Sequence, residues 1–247
     1  LITELDQTAV VPLCFAPVIK RVRESVFAVS QQISDRKELN DKAKEMLELL
    51  RRAEEKAEQE YAFVTEQNRI YRSLLEQGEY GKAETFFAQQ VPYEKKQLEK
   101  FKKEQDTFVR IDWYGNVLYP QEIYLKNIRL LEQSILELKK GEASEALGKL
   151  YQVDNHAYAF MFDEEVYNHF TDYVFHQPKE RLKWGYGRIL EHEKLYRLVR
   201  GLLEKEKQGK TDFKEEIQKL ESVCEKQYQC LMHALDVTEE TIRTYYL

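Results

Sequence analysis

Turn-forming residues are scarce in this chain. It has nine glycines and five prolines in 247 residues, roughly half the usual share. Few turns imply long elements. Three cysteines, Cys14, Cys224 and Cys230, are too few for a disulfide framework and show no metal-ligand spacing. Cys224 and Cys230 stand six apart, about 240° around a helix, so they cannot bridge. Free thiols of this kind leave the redox compartment undecided. No apolar run reaches the roughly 20 residues a spanning helix needs, so no membrane span is expected. A basic excess is also missing. The net charge is −6, which argues against a nucleic-acid partner. The pairs Lys95-Lys96 and Lys102-Lys103 sit among Glu and Gln and read as solvated helix faces. The chain opens at Leu1 without a signal pattern and reads as a processed or excised piece of something longer.

What is present favours helix. Hydrophobic residues make up 43% and charged residues 33%, enough apolar material for a core. Good helix formers dominate. Pro17 suits the first turn of a helix, and Val18, Val22, Val26 and Val29 or Ile33 mark its inner face. Asp35 with Glu38 forms a capping-box pattern for a second helix. There Leu39, Ala43, Met46, Leu50, Ala53 and Ala57 recur at spacings of three and four. Tyr61, Val64, Asn68, Tyr71 and Leu75 continue the stripe. Such a helix would reach roughly 60 Å. Gly78 or Gly81 ends it, and a short helix over 82–91 stops at Val91-Pro92. Leu98, Phe101, Gln105 and Phe108 then mark the inner face of its antiparallel partner.

Asp112 through Asn116 read as a turn. Pro120 opens a helix whose stripe is Tyr124, Ile128, Leu131, Ile135 and Leu138, and Gly141 closes it. A short helix carries Ala143, Ala146, Leu147 and Leu150. Here the sequence echoes itself: Leu75-Glu76-Gln77-Gly78-Glu79 with Ala83 resembles Leu138-Lys139-Lys140-Gly141-Glu142 with Ala146. Two copies are too few for a solenoid, so two similar hairpins are expected. Further helices are expected at about 154–160, 163–176 and 188–207. The last, from about 212, carries Phe213, Ile217, Leu220, Cys224, Tyr228, Leu231 and Leu235. No period-2 strand pattern persists. The fold class is therefore all-α: an elongated antiparallel helical bundle with a long protruding helical hairpin. Its expected parts are a lead-in and first helix (1–34), the long hairpin (35–112) and an aromatic-cored bundle (113–247).

Chemistry-bearing patterns are few. Glu165 and His169 share a helical face, but a di-iron bundle needs Glu-x-x-His. Val166 precedes His169 by three, and Ile189 precedes His192 by three. There is no His-Glu-x-x-His, no Gly-x-Ser-x-Gly and no phosphate loop. No catalytic residue, metal ligand or cofactor site is assigned. Acidic pairs such as Glu54-Glu55, Asp163-Glu164-Glu165 and Glu215-Glu216 fit helix exteriors. The aromatic segment 151–186 reads either as a dense core or as a partner surface, since Tyr, Trp and Phe carry interface hot spots. The partner surface would comprise Trp113, Tyr114, Tyr158, Phe162, Tyr167, Trp184 and Tyr186.

A resemblance rests on several motifs: Tyr119-Pro120 through Asn127-Ile128, Gly141-Glu142, Ala146-Leu147, Val153-Asp154-Asn155 and Phe162-Asp163-x-Glu165-Val166-Tyr167. It continues through Gln177-Pro178-x-x-Arg181-Leu182-x-Trp184-Gly185-x-Gly187-Arg188-Ile189 and His192-Glu193-x-Leu195-Tyr196. Over 119–196 the chain resembles the helical C-terminal region of large bacterial two-zinc aminopeptidases, relatives of the transferrin receptor and glutamate carboxypeptidase. Ala9-Val10-Val11-Pro12-Leu13 is similar to the segment after their peptidase domain. The zinc ligands of that family have no counterpart here. The resemblance implies a non-catalytic helical domain that supports the peptidase domain, shapes access to it or mediates dimerisation, and an extracytoplasmic location. Two alternatives stand beside it: a free-standing scaffold or adaptor for a protein partner, cytoplasmic in that case, and a helical-bundle metalloenzyme.

Overall fold

A computed structural model describes residues 13–33, 35–111, 117–153 and 197–247. The described residues are helical almost throughout, as the spacing predicts. In chain order they form α1 (Ala16–Gln32), α2 (Lys37–Glu76), α3 (Tyr80–Thr107), β1 (Arg110–Ile111), β2 (Val117–Leu118), α4 (Pro120–Lys140), α5 (Ala143–Leu150), α6 (197–207) and α7 (Lys214–Tyr245). The paired β1 and β2, two residues each, are the one piece of strand among the described residues. They flank the expected turn at 112–116, which lies outside the described residues. So do the helices expected at 154–160 and 163–176 and the start of the one at 188–207.

The chain divides into two compact units. One comprises Leu1–Arg110 with Ala234–Leu247, the other Ile111–His233. This partition runs differently from the expected 1–34, 35–112 and 113–247. The reason is packing: α1 lies directly on α2 rather than forming a separate lead-in, and the last turns of α7 pair with the early chain, as in Lys42 with Asp236 at 2.7 Å.

In the first unit, α1 turns Ile19, Val22, Val26 and Val29 inward, with Ile19 replacing the expected Val18. They meet the buried stripe of α2, where Leu39, Ala43, Met46, Leu50, Ala53 and Ala57 are all buried, as are Val64, Tyr71 and Leu75 further along. Tyr61 and Asn68 drop out of that stripe. Each large apolar side chain sealed here contributes about 1.5–3 kcal/mol. α2 runs unbroken for 40 residues, about 60 Å. The expected Asp35/Glu38 box is not formed, and no side chain caps α2. Asn40 works in the other direction: its Nδ2 donates to the carbonyls of Ser30 (2.7 Å) and Ile33 (3.2 Å), serving the orphaned end of α1.

α3 returns antiparallel to α2. Phe87 meets Tyr71, Tyr93 meets Phe63, and Lys100 meets Glu60. Contrary to expectation, Pro92 lies inside α3 and does not break it. Its missing donor would have served the carbonyl of Ala88. Both residues are exposed, so water can serve that carbonyl instead. Replacing Pro92 by alanine should therefore stabilise the protein by about 1–3 kcal/mol. Urea unfolding checks this, and a loss would show that packing needs the proline bend.

The echoed motifs fold alike. Gly78 (φ +73°) and Gly141 (φ +88°) end α2 and α4 in the left-handed region, where a Cβ would cost about 1–2 kcal/mol. The Glu79 amide donates to Leu74 O (2.9 Å) and Gly78 to Leu75 O (3.0 Å). Glu142 donates to Glu137 O and Gly141 to Leu138 O, both at 3.0 Å. Both are Schellman turns. Ala83 and Ala146, the small residues of the two motifs, are both fully buried. A third such turn, not singled out in the sequence, ends α6 at Gly209, with Lys210 donating to Lys205 O at 3.0 Å.

In the second unit α4 buries Ile128, Leu131, Ile135 and Leu138, with Leu125 taking the place expected for Tyr124. α5 packs on α4. Phe213, just before α7, and Leu220, Cys224, Tyr228 and Leu231 of α7 point inward, as the stripe predicts, whereas Ile217 of the same stripe is only half-buried. Glu216 is also buried, and Lys205 Nζ neutralises it at 2.7 Å. Tyr228 donates its hydroxyl to Glu132 at 2.7 Å.

Candidate functional site

The seven residues expected to form a partner surface, Trp113, Tyr114, Tyr158, Phe162, Tyr167, Trp184 and Tyr186, all lie outside the described residues. The same holds for Glu165 and for every histidine except His233, which is exposed on α7. Among the described residues no group of His, Cys, Asp and Glu is placed to hold a metal ion. No described helix is long and apolar enough to cross a membrane.

The structure instead gathers a polar cluster that the sequence did not flag. It lies in the first unit, on the inward face of α3. Sequence spacing assigned that face to Leu98, Phe101, Gln105 and Phe108. Of these, only Phe108 is buried. The buried residues nearby are Lys100 and Glu104, with Gln90 two to three turns earlier. The inward face here is polar and the apolar face is outward.

Lys100 is the centre. Its side chain is 2% exposed and its Nζ pairs with Glu60 of α2. Lys96 reaches the other Glu60 oxygen at 3.1 Å. Two rings flank the ammonium, Tyr246 with its centroid at 5.2 Å and Phe15 at 5.9 Å, an arrangement that stabilises a desolvated cation. Tyr246 donates its hydroxyl to the Lys100 carbonyl at 3.1 Å. Its ring also meets Phe15 edge-on at 5.7 Å and Phe108 at 6.0 Å.

Burial and pairing compete in this cluster. Burial pushes the Lys100 ammonium below its ordinary value, against Glu60, and the charges of Lys96 and Lys56 add to the lowering. Burial alone would raise Glu60, but the hydrogen bonds and charges of Lys100 and Lys96 outweigh it and hold the carboxyl low. The opposite winners follow from exposure: Lys100 is sealed, whereas Glu60 keeps 30% of its side chain in solvent. Burial raises Tyr246, helped by the negative charges of Glu104 and Glu60.

The Glu60 shift fixes an acid dependence. Because the folded carboxyl titrates below its unfolded value, its stabilising contribution is present above about pH 4.5 and is lost as pH falls further. Glu60→Gln should therefore flatten the acid limb of the stability–pH curve. An unchanged limb would show that the pair contributes nothing.

Chemically the cluster binds its own lysine and offers no open face to a substrate. A nucleophilic lysine must be reached, and this one is not. Elsewhere in the first unit a groove of about 550 Å³ is lined by Arg23, Glu24, Phe27, Lys44, Leu47, Glu48 and Arg51. Its arginines are already engaged, Arg23 with Glu54 at 2.9 Å and Arg51 with Glu48 at 2.7 Å. Of the acidic pairs read as helix exteriors, only one member of each described pair is exterior. Glu55 and Glu215 are exposed, Glu215 pairing with Lys219 at 2.7 Å one turn along, whereas Glu54 turns toward Arg23 of α1 and Glu216 is buried against Lys205.

Comparison with protein-family profiles, with curated proteins and with solved structures finds no match for this chain.

Proposed function

We propose that this chain is a non-catalytic helical module that works by binding another protein. The observation that carries the reading is the orientation of α3: Leu98 is 58% exposed and Phe101 46% exposed, one turn apart on its outward face. Tyr61, Phe63 and Tyr93 add exposed rings on the same two helices. Large exposed apolar side chains of this kind mark contact surfaces. The polar groups beneath support the reading, because they are consumed in holding helices together.

The partner we favour is the catalytic domain of a two-zinc aminopeptidase. The motifs between Tyr119 and Tyr196 support it through their resemblance to that family's helical region. A second copy of this chain is the alternative occupant, which would make the module a dimerisation element. A photocrosslinking amino acid placed at position 101, with one at exposed Arg69 as control, tests the reading in cells. A single discrete adduct from 101 alone is expected, and mass spectrometry tells a peptidase from a second copy. Silence at 101, or equal labelling from both positions, would overturn the reading. The isolated chain should also hydrolyse no peptide.

A further inference from the structure

Tyr246 lies along a stretch of α3 that carries one more buried charged residue. Its hydroxyl is bonded to the carbonyl of Lys100, its ring faces the Lys100 ammonium, and the same ring meets Phe108 two turns further on. Glu104 sits midway between those two contacts. Its residue is 9% exposed, and among the described residues its carboxylate has no ion pair or hydrogen bond. Lys100, one turn earlier and buried on the same face of α3, is committed to Glu60.

We propose that the turn after α7 is a proton-linked latch: seating Tyr246 across α3 covers the Glu104 carboxyl, so closure takes up a proton and loosens as pH rises. The charged and titratable groups around Glu104 are consistent with this direction. From α2 come Glu60 and Lys56. Glu60 is neutralised by two lysines, and Lys56 is bonded to the Leu247 carbonyl. From α3 come Lys96, Lys100 and Lys103, the last lying over the Tyr245 ring at 5.6 Å. From α7 and its end come Tyr245, Tyr246 and Thr241, whose hydroxyl lies 3.4 Å from that of Thr107. Phe15, which meets the Tyr246 ring, brings no charge. None of these groups is placed to pair with the Glu104 carboxylate, and burial accordingly pushes that carboxyl up from its ordinary value. The sign follows: the closed state binds the proton more tightly, so closure is favoured at mildly acidic pH. It weakens as pH rises through the ordinary carboxyl range and levels off above the closed-state value. Opening would uncover Phe15, Phe108 and Tyr246.

Amide exchange of residues 238–247, corrected for intrinsic rates, tests this at pH 5 and pH 8. Protection in the unsubstituted protein should fall severalfold between the two, by no more than about tenfold per pH unit for one proton. Glu104→Gln should remove the fall. A ¹³C carboxyl titration of Glu104 in the unsubstituted protein reads the same linkage without any variant, and its midpoint should lie above 4.5. A midpoint at or below that value, or a Glu104→Gln protein with the same pH dependence as the parent, would overturn the latch.

Discussion

Tyr246→Ala is expected to lower the unfolding free energy by about 3–5 kcal/mol, the range for removing a buried aromatic ring. The residue is 2% exposed, and its ring touches Phe15, Phe108 and the Lys100 ammonium. Truncation therefore opens a cavity and also strips one face from a buried cation. Tyr246→Phe separates the two contributions. It keeps the ring and loses only the hydroxyl bond to the Lys100 carbonyl, so it should cost about 0.5–1.5 kcal/mol. The phenylalanine variant should also change the alkaline limb. The folded phenol is held above its ordinary value near 10, so stability falls as the unfolded phenol ionises above that pH. Removing the hydroxyl should reduce this fall. If Tyr246→Ala cost less than about 1 kcal/mol, the turn would not be seated as described.

Leu50→Ala and Leu98→Ala should differ sharply although the chemical change is identical. Leu50 is fully buried where α1 packs on α2, so its loss should cost about 2–5 kcal/mol. Leu98 stands in solvent, so its loss should stay within about 0.5 kcal/mol. Urea unfolding of both variants in one buffer checks the pair. Equal costs would mean that α3 is rotated relative to its position here.

These two leucines also show where the sequence was informative and where it misled. On α2, α4 and α7 the inner faces are apolar, and the three-and-four spacing located them to within one or two residues. The Gly-Glu turns were legible because only the left-handed region lets the chain reverse there, and glycine occupies it at little cost. On α3 the rule fails, because this helix buries Lys100 and Glu104 and exposes Leu98 and Phe101. The stripe was drawn through the apolar residues, one helical position away from the polar ones that face inward. Pro92 reinforced the error by suggesting a break where an exposed carbonyl simply goes to water. The polar cluster was invisible for a related reason. Its parts, Phe15, Glu60, Lys100 and Tyr246, come from four distant places in the chain, and their pairing depends on how α3 and the end of α7 fold back. The one local hint was the spacing of Gln97, Lys100 and Glu104, which is that of an inner face written in polar residues.

The orientation of α3 carries the functional reading, because it decides whether Leu98 and Phe101 are offered to a partner or locked in a core. Thiol labelling measures it directly. With Cys14→Ser and Cys230→Ser as background, which leaves only the buried Cys224, one further cysteine is placed in turn at positions 98, 100 and 101 and its modification rate compared. Rapid labelling at 98 and 101, with labelling at 100 slower by about two orders of magnitude, as expected for a site opened only by local unfolding, is the result this orientation requires. Fast labelling at 100 with protection at 98 and 101 would contradict it.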